Sequence, residues 1–357
     1  MQIDMHCFGT YALARAAGLK TEVAARIATA AQLVDDNAIQ NALTFGDAAR
    51  IDAEATAHHT LDLRHNVKIA NLNDEDQRRV WVPFHFLPGN TGETYEERLL
   101  CRKDSPVART MLDHHLNLAQ APFAVELIGI AAHVYADTFS HYGFSGIASP
   151  TNCVDNDAFA FDDGLKADMK AYISKKAAEF WETFSSWGAE NLTGALGHAG
   201  AATFPDRPYL RWSLVFENRE GGREGRDNPA DYLQGCRGLY GLFRNFADRR
   251  PDCTDGPGRE WPAMAERVEE ILKVQADQEG RIEAWRNAAA DGSLFGLREA
   301  LPAYGGNEWQ SEFVSLDGTA DSGVSLKTPM FRFFQAAAHH RVYVLRDLLP
   351  SCGLVAD

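Results

Sequence analysis

The chain has 357 residues, 45% of them hydrophobic, and a formal net charge of −15. That length suits two average domains or one large helical one, and the apolar fraction is enough for a sizeable core. So acidic a surface argues against binding long nucleic acids or anionic membranes. No run of 18 apolar residues marks a transmembrane helix. The opening "MQIDMHCFGTY" lacks a basic stretch followed by an apolar one, so a cytoplasmic location is expected.

Helical periodicity dominates from the N-terminus onward. Asp4 and His6 come first; they share a side if the segment is extended and diverge if it is helical. "YALARAAGLKTEVAARIATAAQLVDDNAI" predicts two helices broken near Gly18, with Thr21 capping the second. Its end carries Asp35 and Asp36, acids that oppose the helix dipole and so call for another reason to be there. "VWVPFHFLP", β-branched, aromatic and broken by prolines, predicts an extended connector that places His85 among apolar neighbours. "PVARTMLDHHLNLA" and "APFAVELIGIAAHVYADTFSHYGF" predict helices, as does "DGLKADMKAYISKKAAEFWETFSSWG". The second half adds "PADYLQGCRGLYGLFRNFADRR", "EWPAMAERVEEILKVQADQEGRIEAWRNAAA" and "TPMFRFFQAAAHHRVYVLRDLLP". Residues from about 188 to 228 and from about 302 to 328 break the pattern and are expected to be long loops forming cleft walls or lids. With no repeat or linker, one all-α domain over residues 1–357 is expected. Six scattered cysteines without a C-x-x-C pair suit free thiols rather than a disulfide frame or a cysteine zinc site.

The densest chemistry is "HVYADTFSH". On a helix, steps of four advance only about 40° around the axis, so His133, Asp137 and His141 form one narrow stripe. The preceding helix is apolar nearly all round, Glu126 excepted, and is expected to be buried. A buried carboxylate without a partner costs several kcal/mol, and two imidazoles beside one suit a divalent metal. The bland alternative is a hydrogen-bonded network in which Asp137 accepts from both rings. His198 lies among glycines, with Asp206 and Arg207 following as an anchoring pair or substrate contacts. The doublets His58–His59, His114–His115 and His339–His340 are expected to be peripheral, with His59 and His339 the better ligand candidates.

In order, His6, Asp36, "HF" at His85, H-x3-D-x3-H and a later His198 resemble the zinc-dependent phospholipase C and P1/S1 nuclease superfamily, all-α proteins with a three-metal cluster. The resemblance implies that Asp36, His85 and His133 share one metal with Asp137. Asp137 would bridge to a second held by His6 and an N-terminal group, a role for which Asp4 is available. His141 and His198 would hold a third. The pattern departs from the family in two places: the second histidine follows the aspartate by four residues rather than six, and Ala202 stands where an acid is expected four residues after His198. "VWVPFHFLPG" and "TFPDRPYLRW" also look like an uncharacterised bacterial family of similar length. No H-E-x-x-H, P-loop, G-x-G-x-x-G or G-x-S-x-G occurs.

The sequence thus predicts a metal-dependent hydrolase of a small or lipid-headgroup phosphoester, with one to three zinc ions, iron, nickel or manganese being alternatives. Asp36 would be a ligand and orient the attacking water, and Arg207 or Arg211 would steady the phosphate. The rival expectation is a non-catalytic helical protein with a structural metal or a buried His/Asp network.

Overall fold

The computed structural model describes residues 1–39, 42–57, 77–185 and 196–355. The helices among them are, in order, α1 (Thr10–Ala16), α2 (Thr21–Asp36), α3 (Tyr95–Leu99), α4 (Pro106–Asn117), α5 (Ala124–Ser140) and α6 (Ala167–Ser185). They continue as α7 (Asn228–Arg249), α8 (Ala265–Leu272), α9 (Gln278–Ala290), α10 (Gly306–Val314), α11 (Pro329–Val342) and α12 (Leu349–Ser351). Three wider π-helical turns, Asp4–Gly9, Gln77–His85 and Tyr343–Leu348, adjoin them. The fold is largely helical but not all-α. Strands Leu43–Thr44 (β1) and Arg50–Ile51 (β2) pair, and Ala160–Phe161 (β3), Arg211–Val215 (β4) and Arg223–Asp227 (β5) form a second small antiparallel sheet.

The central element is α5. Every residue from Ala124 to Ser140 is buried, as expected of a helix apolar on all sides. Glu126 is accommodated because the Arg26 guanidinium reaches its carboxylate, Nε to Oε1 at 3.1 Å. Helix α2 packs against α5 more extensively than any other pair of elements. At the crossing, a Cβ on Gly129 would stand 2.5 Å from the Ile27 carbonyl oxygen and 2.6 Å from the Ala30 Cβ. A side chain there would push the two helices apart. Around α5 the core also takes in α1, α4, α7, α9 and α11 through side chains such as Leu13, Met111, Phe243, Trp285 and Phe333.

Several local expectations are corrected. Lys20, not Thr21, is the N-cap of α2, and it caps without a side-chain bond. The stretch around "VWVPFHF" coils into the Gln77–His85 turn instead of extending. Burial of Val80, Val82, Phe84 and His85 in this coil outweighs their β propensity. The segment after residue 196 is not structureless to 228. Arg211–Val215 alternates exposed and buried positions, the period of a strand, and hairpins with β5. Within 302–328, α10 forms around the fully buried Phe313, and Ser322–Lys327 makes a tight helical turn. That region packs on β1 and the end of α2 through Asp317 and Gln310.

If the α2–α5 approach depends on Gly129, Gly129→Ala should cost about 1–3 kcal/mol from overpacking, read from the urea midpoint at unchanged slope. Gly241→Ala, in α7 with nothing within 4 Å of the new methyl, should be neutral or stabilise by up to about 1 kcal/mol.

Candidate metal centre

The close crossing at Gly129 has a chemical consequence. It brings the Ala31 carbonyl of α2 within 2.8 Å of Nδ1 of His133 on α5. One turn further along α2, Asp35 reaches the same imidazole from its other side, Oδ1 to Nε2 at 3.8 Å. Two π-helical turns add His6 and His85. Such wide turns re-aim a side chain and often occur at functional sites. His141 caps α5 immediately after Ser140. The loop after residue 196 supplies His198 and Asp206.

These residues converge on Asp137, whose side chain is 1% exposed. His133 Nε2 lies 3.1 Å from Asp137 Oδ2, and His85 Nδ1 and His141 Nδ1 lie at 3.6 and 3.5 Å from the same oxygen. His6 Nε2 is 3.1 Å from Oδ1. Asp206 sits between His141 Nε2 at 3.3 Å and His198 Nε2 at 3.6 Å. Three triads each have one ligand atom per residue, all within 4.8 Å of one another: Asp35, His85 and His133; His6, His133 and Asp137; and His141, His198 and Asp206.

The protons decide between a hydrogen-bonded network and a metal. His133 Nδ1 points to Ala31 O, His85 Nε2 to Thr56 O, His141 Nδ1 to His85 O and His198 Nδ1 to Ala202 O, each at 2.8 Å. A carbonyl oxygen only accepts, so each of these nitrogens carries the proton and donates. The opposite nitrogens of neutral rings are therefore lone pairs, and those of His133, His85 and His198 face carboxylates that also only accept. Asp137 Oδ1 accepts from the Met1 amino group at 2.6 Å, but neutral imidazoles so oriented leave Oδ2 without a donor, and His6 Nδ1, His6 Nε2 and Asp137 Oδ2 are buried without a hydrogen-bond partner. Histidines oriented by backbone carbonyls, with free lone pairs beside carboxylates, are the arrangement metal-binding imidazoles adopt. The residues fit divalent ions.

Charging all the rings instead is opposed by their proximity. His6 stacks on His133 with centroids 3.8 Å apart, and His85 Nδ1 lies 3.3 Å from His133 Nε2. Burial, then the positive charges of His133 and the Met1 amino group, hold His6 well below the ordinary imidazole value. Burial likewise lowers His198, to about 4, against the pull of Asp206. His85 moves the other way: burial opposes its charge, but the neighbouring carboxylates of Asp137 and Asp35 raise it. Asp137 is held well below the carboxylate range, since the fields of His141, the amino group and His133 outweigh its burial.

A cavity of about 170 Å³ opens beside the cluster, walled by Met1, Asp35, Ala57, Trp81, His85, Phe86, His141, His198 and Asp206. The α-amino group of Met1 lies 2.6 Å from Asp137 Oδ1 and 3.3 Å from Asp206 Oδ1. Burial lowers its pKa, but the nearby carboxylates raise it further, to about 11.

His6, His85, His133, Asp137, His141 and His198 are thus brought together, and three expectations are corrected. Asp36 is not in the cluster; Asp35 is. Neighbours on a helix point about 100° apart, and Asp36 is turned instead to Gln32, Nε2 to Oδ2 at 3.2 Å. Asp4 is turned away because its segment is helical; it pairs with buried Arg281, Nε to Oδ2 at 2.8 Å. Neither arginine lines the cavity. Arg207 bonds Thr203 and covers the Tyr172 ring, and Arg211 pairs with Asp227 along the hairpin. Asp206 was singled out only as an anchor or substrate contact. It joins His141 and His198 as the carboxylate of their triad, eight residues after His198, in a loop that passes through Ala202 at φ 46°. His58 and His59 lie outside the described residues.

Fold and site define a largely helical protein with buried histidine–carboxylate groups able to hold metal ions. Residues 1–348 match a family of unknown function designated DUF6765, and the chain belongs to that family. No curated protein and no solved structure matches it.

Mass spectrometry of three variants tests this geometry. Asp35→Asn should lower bound zinc, Asp36→Asn should leave it unchanged, and Asp4→Asn should keep the metal yet lose about 3–5 kcal/mol by stranding the Arg281 charge. In chelator-treated protein, His6 and His198 stay neutral in the fold while unfolded histidines protonate near 6.5. Their contribution to stability should therefore decline as pH falls from about 6.5 towards 4. Melting curves should show less of this decline in His198→Gln; an unchanged slope would remove His198 from the account.

Proposed function

We propose that this chain is a metal-dependent hydrolase of small phosphoesters. The observation that carries the reading is that imidazole lone pairs, fixed by backbone carbonyls, converge with carboxylates on the wall of a cavity. Five of the nine cavity residues, Asp35, His85, His141, His198 and Asp206, are also members of the three metal-fitting triads. A purely structural site closes its coordination with protein ligands, whereas a catalytic one leaves a position open to substrate.

When bound, zinc or a similar ion supplies Lewis acidity that acidifies water and polarises a phosphoryl oxygen. The chain's own groups bind and orient. His133 and Asp137 anchor the centre from α5, with Asp137 offering one oxygen to each side. Asp35, whose side chain is 30% exposed, stands on the cavity wall, where its carboxylate can orient a water and accept its proton. Burial raises its pKa against the fields of His133 and His85, which suits a proton acceptor working nearer neutrality. Trp81 and Phe86 offer apolar walls for the ester group. Without metal ions, Asp35 and Asp206 on the wall and Asp137 behind it would repel a phosphate; no Arg or Lys is among the cavity residues, and the Met1 amino group there is already paired with Asp137 and Asp206. Metal ions are therefore what would make this cavity hospitable to an anion. Its volume and the chain's net charge of −15 favour small diesters or lipid headgroups over long polyanions.

Zinc-loaded wild type should hydrolyse bis-p-nitrophenyl phosphate slowly, faster as pH rises through neutrality. His133→Ala should lose more than the ~10–100-fold typical of removing a partner that only supports a ligand, and Arg211→Ala should change little. Wild type that is metal-loaded yet indistinguishable from His133→Ala on phosphomonoesters, phosphodiesters and carboxylic esters would leave a structural metal as the reading.

A further inference from the structure

Two histidine doublets lie outside that centre and meet each other. His114 and His115 end α4; His339 and His340 lie in the last turn of α11. Their protons can be traced from one backbone oxygen. His340 Nε2 is 2.8 Å from the Pro83 carbonyl, so it donates, and Nδ1 of the neutral ring is a lone pair. That Nδ1 lies 2.9 Å from His115 Nε2, which therefore carries the proton. His115 Nδ1 is left as a lone pair. It is buried with no hydrogen-bond partner, on a residue with 0% exposure.

Beside it, His114 Nε2 and His339 Nε2 approach to 3.2 Å, their rings within 7° of parallel. One nitrogen each from His114, His115 and His339 lies within 4.8 Å of the other two. Tetrahedral zinc with Zn–N bonds of about 2.0–2.1 Å separates its ligand nitrogens by roughly 3.3 Å, a spacing the His114–His339 pair already has. Tyr343 stacks on His114 at 3.5 Å, which holds that ring in place. A hydrogen bond between His114 and His339 would explain their contact, but it leaves the orphaned His115 nitrogen unexplained.

We propose that His114, His115 and His339 form a second metal site, for a single Zn2+ or similar late first-row ion, joining α4 to α11. None of the three residues belongs to the central triads or lines the cavity. The His115–His340–Pro83 relay orients the buried ligand as a partner carbonyl does in known imidazole sites. Burial and, for His114 and His115, neighbouring imidazoles lower all three pKa values, so the rings are neutral and available at pH 7. His114 and His339 are half-buried, which leaves a coordination position towards solvent.

The test is zinc titration of the chelator-treated full chain by calorimetry. His114→Gln/His339→Gln, which alters the two more accessible rings, should bind one equivalent fewer than wild type, with an unchanged circular dichroism spectrum. In a His133→Ala/Asp137→Asn/Asp206→Asn background, which takes a member from each of the three central triads, one equivalent should remain and vanish when the two glutamines are added. Equal stoichiometry with and without the glutamine substitutions in the wild-type background, or a wild type that binds no zinc, would overturn the proposal.

Discussion

A carboxylate with almost no access to water, Asp137, sits at the centre of a helical core, and the rest of the molecule is arranged around compensating it. Removing such a charge from water costs several kcal/mol unless it is paired. Here the nearest partners are four imidazoles and an amino group. Three of those rings donate their N–H to backbone carbonyls and one has no hydrogen bond at all. The amino group pairs with Oδ1, but Oδ2 and the lone pairs around it stay unmatched; hydrogen bonds from neutral rings cannot match them, and divalent cations can. The same argument extends to Asp206, set between the rings of His141 and His198.

Backbone geometry delivers these side chains more than any single motif does. Gly129 lets α2 and α5 approach until a carbonyl of one reaches a ring of the other. This contact selects the tautomer of His133 and sets the phase in which Asp35 arrives. Each of the two π-helical turns aims one histidine inward, and the loop through Ala202 brings Asp206 beside His198. The chemical centre is thus a property of helix packing, and changes that only loosen the crossing should weaken it without touching a ligand. The second histidine cluster obeys the same logic, with the Pro83 carbonyl in the role that Ala31 plays for His133. Pro83 lies two residues before His85 in the Gln77–His85 turn, so this one turn supports both groups.

Charge is distributed accordingly. The exterior is strongly acidic, and the cavity wall adds two carboxylates of its own, Asp35 and Asp206. An anion could enter only where bound cations reverse the local field. The buried Asp4–Arg281 pair shows how the fold treats an acid that no such group shares: it receives a guanidinium and is sealed off.

Much of this was legible in the residue pattern. Helical periodicity, the apolar run before His133 and the four-residue spacing of His133, Asp137 and His141 determined a largely helical protein with a buried polar stripe, because those signals are local. His6, His85 and His198 stood out as isolated histidines in apolar or glycine-rich surroundings. Whether Asp35 or Asp36 faces inward depends on helix phase, about 100° per residue, and only the crossing with α5 sets it. The partner of Asp4 lies 277 positions away, and the pairing of Asp206 with His198 depends on the course of the loop between them. The β4–β5 hairpin formed where composition suggested loop, since its alternation acquires meaning only against an apolar surface to bury. Side-chain type and spacing are written locally in the chain. Which atoms share one point in space is decided by packing between segments far apart in it.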